Sequence, residues 1–381
     1  MPTLILCDTS SAQTLTNKTL TAPIVTDPVI TGADITLAAA PTATLEAATK
    51  GYVDSANNTI IVNGSLDATV AGNNLTLHLK TAAGATPSAT DSVRATFRSV
   101  TDGVGSLVTR TITGATTFVI ASSSTLDTLN AQSARIWVGL LDNAGTVELC
   151  AWNPLGSTTL SLMLFPQPLA SVSTTAEGTG AADSSGVIYS TTARSAKAFL
   201  PLGYIEITEA TAGVWATAPT VIQTYREGIK RTGDVLSSVF YFDAAVATGT
   251  TAMPTDNTIP QITEGNEYMG LSVQSRSLCN ILNTRAQGVF AHTAVTTVNM
   301  ALFEDGTNNA LAVSAVKIPA SNDVMTCTIN HRRRVSTLSL TAYRIRAGAS
   351  TGATTTFNGS AGAQLFGGVC NSMLEVSEVM V

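Results

Sequence analysis

The sequence predicts an all-β chain, and three observations carry that prediction. Thr and Val, which favour pleated and half-buried surfaces, are abundant, with about 60 Thr among the 381 residues. Gly, Asn, Asp and Ser punctuate short apolar runs and supply the turns between them. No amphipathic run with a 3.6-residue period lasts more than two turns. Hydrophobic residues make up 44% of the chain and charged ones only 12%, against roughly 25% charged in an average soluble domain.

That balance excludes several classes. A chain this apolar can build cores, so disorder through low hydrophobicity and high charge is ruled out. The longest apolar stretches (37–40, 136–141, 162–165 and 239–242) fall far short of the roughly 18 residues a spanning helix needs. No membrane insertion is expected, and the first residues lack the basic region and apolar core of a secretory signal. A net charge of -6 and a pI near 5.1 give no basic footprint for nucleic acid. Five cysteines, Cys7, Cys150, Cys279, Cys327 and Cys370, are scattered singly and read as free thiols made in a reducing compartment.

Along the chain, the first element is a repeat. An aliphatic residue followed by Thr recurs every five residues, at Leu15, Leu20, Val25, Ile30 and Ile35. Five fits neither a heptad nor strand alternation, and Pro23 and Pro28 disfavour a helix. One aliphatic residue per step is too little to bury within one chain. Several copies wound about an axis can bury it, as stacked repeats do. Residues 1–56 are therefore read as an N-terminal anchoring and stalk segment. Helix formers at 45–50, stopped by Gly51, predict one short helix within it.

Residues 57–228 read as a β-sandwich or barrel. Leu75, Leu77 and Leu79 alternate inward with His78 outward, and Val93, Ala95 and Phe97 repeat the pattern. Residues 135–152 form the clearest hairpin, two apolar runs about Asp142-Asn-Ala-Gly145, with Trp137 and Trp152 as core anchors. Further strands are expected at 186–190, 199–208 and 212–217. The charged break QTYREGIKRTG at 223–233 marks a boundary. Residues 229–381 hold eight or nine expected strands, enough for a jelly-roll-like sandwich. They fall at 235–242, 268–273, 277–282, 288–294, 298–304, 323–330, 336–346, 364–366 and 372–379. In 336–346 Leu338, Leu340 and Ala342 are expected on one face.

Two segments resemble bacteriophage tail-fibre and appendage proteins: Asn17-Lys-Thr-Leu-Thr21 with Pro23, and Ala47-Ala-Thr-Lys-Gly-Tyr-Val-Asp54. Residues 134–149, 186–194 and 211–215 resemble a β module of phage fibres, and residues 366–381 resemble the last strand of fibre head domains. The resemblance implies a virion structural protein made in the bacterial cytoplasm and assembled as an intertwined homotrimer. Its N-terminus is expected to anchor on tail or capsid proteins, and its C-terminal domain to bind a host surface glycan or protein. A head fibre or capsid decoration is the alternative, and a polysaccharide-degrading spike a second.

Catalytic signatures are absent from the sequence: no G-x-S-x-G elbow, no HExxH and no Walker loop. A non-enzymatic chain without cofactor or metal is expected. His78, His292 and His331 each stand alone in strand patterns. The neighbouring carboxylates Glu206 and Glu209, Glu264 and Glu267, and Glu304 and Asp305 are pairs to weigh for glycoside hydrolysis, though their context is turn-like. The densest charge cluster is His331-Arg332-Arg333-Arg334. Its structural reading is a strand-edge basic turn or an inter-subunit ion-pair site; its functional reading is an acidic-glycan contact at the fibre tip, with Tyr343 and Arg344 as neighbours.

Overall fold

The computed structural model describes residues 60–100, 105–163, 165–178, 184–226, 228–350 and 352–381. The stalk repeat and the short helix lie outside these residues. Thr59–Val381 forms one unit with two cores. Among the described residues the regular structure is β throughout, apart from one 3-10 turn at Phe366–Gly368.

The first core begins with β1 (Ile61–Val62), β2 (Gly64–Ala71), β3 (Asn74–Thr81), β4 (Val93–Arg98), β5 (Leu107–Ile112) and β6 (Thr116–Ile120). They form two three-stranded sheets, β1–β4–β5 and β2–β3–β6. It continues with β7 (Ser133–Asn143), β8 (Thr146–Trp152), β9 (Ser171–Ala176), β10 (Tyr189–Ser190), β11 (Arg194–Thr208) and β12 (Val221–Thr224). These form a sheet ordered β12–β11–β7–β8–β10–β9. Because β9 also pairs with the start of β11, the path β11–β7–β8–β10–β9 closes on itself. Closure removes the free edges that an open sheet would expose.

Strand alternation decides which side chains meet. Leu75, Leu77, Leu79, Val93, Ala95 and Phe97 all point inward against Ile136, Val138 and Leu140 of β7. The other parity of the β7–β8 hairpin carries Trp137 directly opposite Trp152, both fully buried, with ring centroids 6.2 Å apart. Ala144 and Gly145 turn this hairpin at φ 51° and 103°, values that Gly adopts without strain. The expected strand at 212–217 is instead a turn. Gly213 has φ +78°, and a Cβ on it would lie 3.2 Å from the Ser123 main chain. Trp215 is nonetheless buried and donates its indole N–H to the Ser124 carbonyl at 3.0 Å.

The second core comprises β13 (Val235–Asp243), β14 (Ala247–Gly249), β15 (Asn266–Val273), β16 (Ile281–His292), β17 (Thr296–Glu304) and β18 (Ala312–Ile318). It is completed by β19 (Val324–Arg334), β20 (Thr341–Ala349), β21 (Thr355–Phe357), β22 (Gly359–Ser360), β23 (Ala363–Gln364) and β24 (Ser372–Val379). One sheet runs β13–β24–β16–β21–β14, with β19 on the other side of β16. The facing sheet runs β15–β20–β17–β18. Together they make a jelly-roll-like sandwich around Phe290, Phe357, Met300, Leu302, Ile345 and Leu374.

Three sequence expectations are corrected here. Residues 281–282 of the first expected strand and 288–292 of the second fall in one twelve-residue strand, β16, whose Gly288 leaves room for the Phe290 ring, while 277–280 form a turn. Leu338 and Leu340 precede β20 and are 45% and 68% exposed, so their alternation marks a loop. Strand β18 was not anticipated, although Ala-Val-Ser-Ala-Val-Lys-Ile alternates half-buried and exposed. One glycine is required by close approach. A Cβ on Gly348 would lie 2.4 Å from the Thr251 carbonyl oxygen and 3.0 Å from Gly265 Cα, both main chain. Gly348→Ala is expected to destabilise the sandwich by about 1–3 kcal/mol, the usual cost of overpacking, read as a lower urea midpoint.

Candidate functional site: a basic cleft at the junction of the two cores

The two cores meet at a buried polar lock. Arg135 of β7 is 3% exposed and forms an ion pair with Glu206 of β11. Its Nη1 donates to Asn280 Oδ1 at 2.9 Å and to the Val381 main-chain oxygen at 2.7 Å. Asn280 Nδ2 in turn donates to Glu378 Oε1 at 2.6 Å. Glu378 is fully buried and accepts the Arg276 N–H at 2.9 Å. Ser277 Oγ donates to Glu206 at 2.9 Å. The Arg135 guanidinium also lies 4.7 Å from the Tyr204 ring centroid. Around this lock, Leu155, Ile281, Val379 and Val381 form an apolar seal, and Met380 joins the tryptophan cluster.

Beside the lock lies a cleft of about 500 Å³. The first core contributes Gln132, Ser133, Ser157 and Thr158, and the second contributes Arg332–Arg334 and Ser336. Strand alternation separates the three arginines. Arg333 lines the cleft but turns its guanidinium toward the facing sheet, where it pairs with Glu304 of β17. Arg332 and Arg334 share the opposite face. Arg332 has no ion pair or hydrogen bond among the described residues. Arg334 Nη2 reaches only the Gly156 carbonyl, at 3.4 Å, and its Nε is buried without a partner. Burial lowers the pKa of both guanidiniums from the ordinary arginine value, in Arg334 against the raising influence of Cys279 and Asp127. Both remain cations at neutral pH, since arginine starts so far above it.

The expected neighbours are not assembled around them. Tyr343 is 2% exposed, and its hydroxyl donates to Glu304 Oε1 at 2.9 Å. It therefore supports Arg333 through Glu304 and offers no open aromatic face. Arg344 lies elsewhere, bound to Asp305 at 2.8 Å and Glu267 at 2.7 Å. Tyr343 and Arg344 lie on β20 in the facing sheet, beside Glu304 and Phe303 of β17, so nearness in sequence to β19 does not bring them to the cleft. Gln132, Ser133, Ser157 and Thr158 were missed because nothing local links them to residues nearly 200 positions later.

The carboxylates weighed for hydrolysis are all engaged. Glu206 serves the lock, Glu209 accepts the Ala216 and Thr217 N–H groups, and Glu264 accepts the Gln261 N–H. Glu267 and Asp305 hold Arg344, and Glu304 holds Arg333. No group of three or more potential metal ligands occurs among the described residues. His292 is buried with Nδ1 at 3.0 Å from the Ala294 carbonyl oxygen, and His78 lies 2.9 Å from Thr69 Oγ1.

No protein-family model and no curated protein matches the sequence. Solved structures align weakly. A structure of the infectious bursal disease virus Gx strain is 11% identical over 84% of this chain and 78% of that one, with a TM-score of 0.23. A structure of the T13 particle of the same virus is 12% identical over 84% of this chain and 75% of that one, with a TM-score of 0.25. Murine APRIL is 14% identical over 35% of this chain and 98% of its own, with a TM-score of 0.19. At these scores the similarities carry no argument about function.

Proposed function

We propose that this chain is the protomer of a homotrimeric, non-enzymatic virion appendage, a phage tail fibre that binds an acidic host-surface glycan in the basic cleft. The observation that carries the binding role is the pair Arg332 and Arg334, two guanidiniums that form no ion pair among the described residues, facing hydroxyl-bearing walls. Carboxylate, sulfate or phosphate groups on a polysaccharide complement that arrangement, since charge-assisted hydrogen bonds to arginine are short and strong. The fibre reading rests on the five-residue repeat and the two fibre-like motifs at 17–23 and 47–54.

The test is binding of the full chain to purified host surface polysaccharide. Removing one such hydrogen bond costs about 1.5–3 kcal/mol, so Arg332→Ala combined with Arg334→Ala is expected to weaken binding at least tenfold. Wild-type binding should also weaken with added salt. Equal binding by the double variant, with its circular dichroism unchanged, removes the cleft from the function. Released oligosaccharide in the same mixture would establish a degrading spike. Antibody labelling of virions distinguishes attachments: label on the shell and not on the tail makes the chain a head fibre.

A further inference from the structure

The outward face of the sheet β13–β24–β16–β19 begins at the cleft and runs away from it in rows fixed by strand register. The row holding Arg332 reads Ser238, Ser377, Asn283, Arg332. The next reads Phe240, Glu375, Arg285, Asn330, and the one beyond it Phe242, Met373, Gln287, Thr328. Phe240 and Phe242 are 54% and 64% exposed, with near-parallel rings 6.1 Å apart. They sit on β13, which ends the sheet among the described residues and pairs there with β24 on one side alone. An exposed edge strand carrying large apolar side chains is a pairing hazard unless something covers it.

The charges on these rows indicate what covers it. The Arg285 side chain is exposed and makes no ion pair or hydrogen bond among the described residues, its main chain being held in the ladders to β19 and β24. Glu375, opposite it in register, uses Oε1 to accept from Ser238 and Ser377, each at 2.9 Å, while Oε2 accepts no hydrogen bond among the described residues. The face thus presents one open donor and one open acceptor beside an apolar pair, a pattern complementary to itself. The stalk repeat independently calls for identical chains side by side, which raises the local concentration of one copy about another.

We propose that this face is the seat of a second copy of this chain, with Phe240 and Phe242 buried between protomers and Arg285 of one protomer paired with Glu375 of the next. The inference rests on the trimeric reading above and gives it a surface. The basic cleft lies at the opposite, β19 edge, three strand spacings or about 14 Å away, and remains open to a ligand.

The experiment measures maleimide labelling of Gln287→Cys in the full chain with Cys7→Ser and Cys370→Ser, alongside light scattering of the same sample. Gln287 lies in the Phe242 row, and Leu340→Cys in the same background gives the rate of an exposed loop thiol. The expected result is an oligomer whose position-287 thiol reacts at least tenfold slower than that at position 340. Adding Phe240→Asp and Phe242→Asp should bring the two rates together. An oligomer in which position 287 reacts as fast as position 340 overturns the seat and leaves the fibre reading standing. Slow labelling that survives the two aspartates also overturns it, because the cover is then not held by the phenylalanines. A monomer overturns both readings.

Discussion

Arg135→Ala is expected to destabilise the protein by about 3–5 kcal/mol, the cost of removing one partner from a buried ion pair. The magnitude follows from what is left behind. Among the described residues, Glu206 loses its ion-pair partner, Asn280 loses a donor, and the Val381 main-chain oxygen is left with the Trp137 indole at 3.2 Å. All of this lies where water cannot readily replace the lost groups. Because the lock joins the two cores, the variant should also unfold in two resolved steps where the parent shows one. Urea unfolding followed both by tryptophan fluorescence, which reports the first core where Trp137, Trp152 and Trp215 lie, and by far-ultraviolet circular dichroism, which reports both cores, reads the difference as two non-coincident transitions. Arg135→Lys keeps the charge but not the planar fork, and should recover only part of the loss. A shift below about 1 kcal/mol for Arg135→Ala would show that the lock is not a major support, since typical surface pairs fall in that range.

The second large effect concerns the tryptophan pair, where two similar residues should behave differently. Trp137 packs edge-on to Phe165 at 4.6 Å and near Tyr204 at 4.9 Å, besides holding Val381. Trp137→Ala is expected to cost about 3–5 kcal/mol, as for other large core truncations. Trp152 is as deeply buried, but its indole N–H has no partner among the described residues. An unpaired buried donor costs about 1–3 kcal/mol. Trp152→Phe removes that donor while keeping an aromatic ring against Phe199, so its net effect should stay within about 1 kcal/mol of zero. Thermal melts of the two variants beside the parent give the comparison. A large loss for Trp152→Phe would mean that volume outweighs the orphaned donor.

The β elements were legible wherever alternation was strict. Leu75, Leu77 and Leu79 could be assigned inward, and the Trp137–Trp152 hairpin could be placed with its turn, because a two-residue period needs only neighbouring residues. The same logic misled at Leu338 and Leu340, which alternate without a partner strand. Of the candidate site, the arginine cluster was visible as a run of charge, but its division was not. Arg333 is neutralised by Glu304, 29 positions away, while Arg332 and Arg334 turn to the cleft.

The sequence by itself determined the all-β class, the repeat period and the sidedness of its best strands, each a property of residues within about ten positions of one another. The tertiary structure alone decided which of these surfaces meet. Arg135 and Asn280 are 145 positions apart, and Arg135 and Val381 are 246 apart, yet they share hydrogen bonds. Such contacts form because burial of the two sheets brings distant strands together, and no local pattern encodes the register in which they arrive. The junction, its lock and the cleft beside it are therefore products of packing.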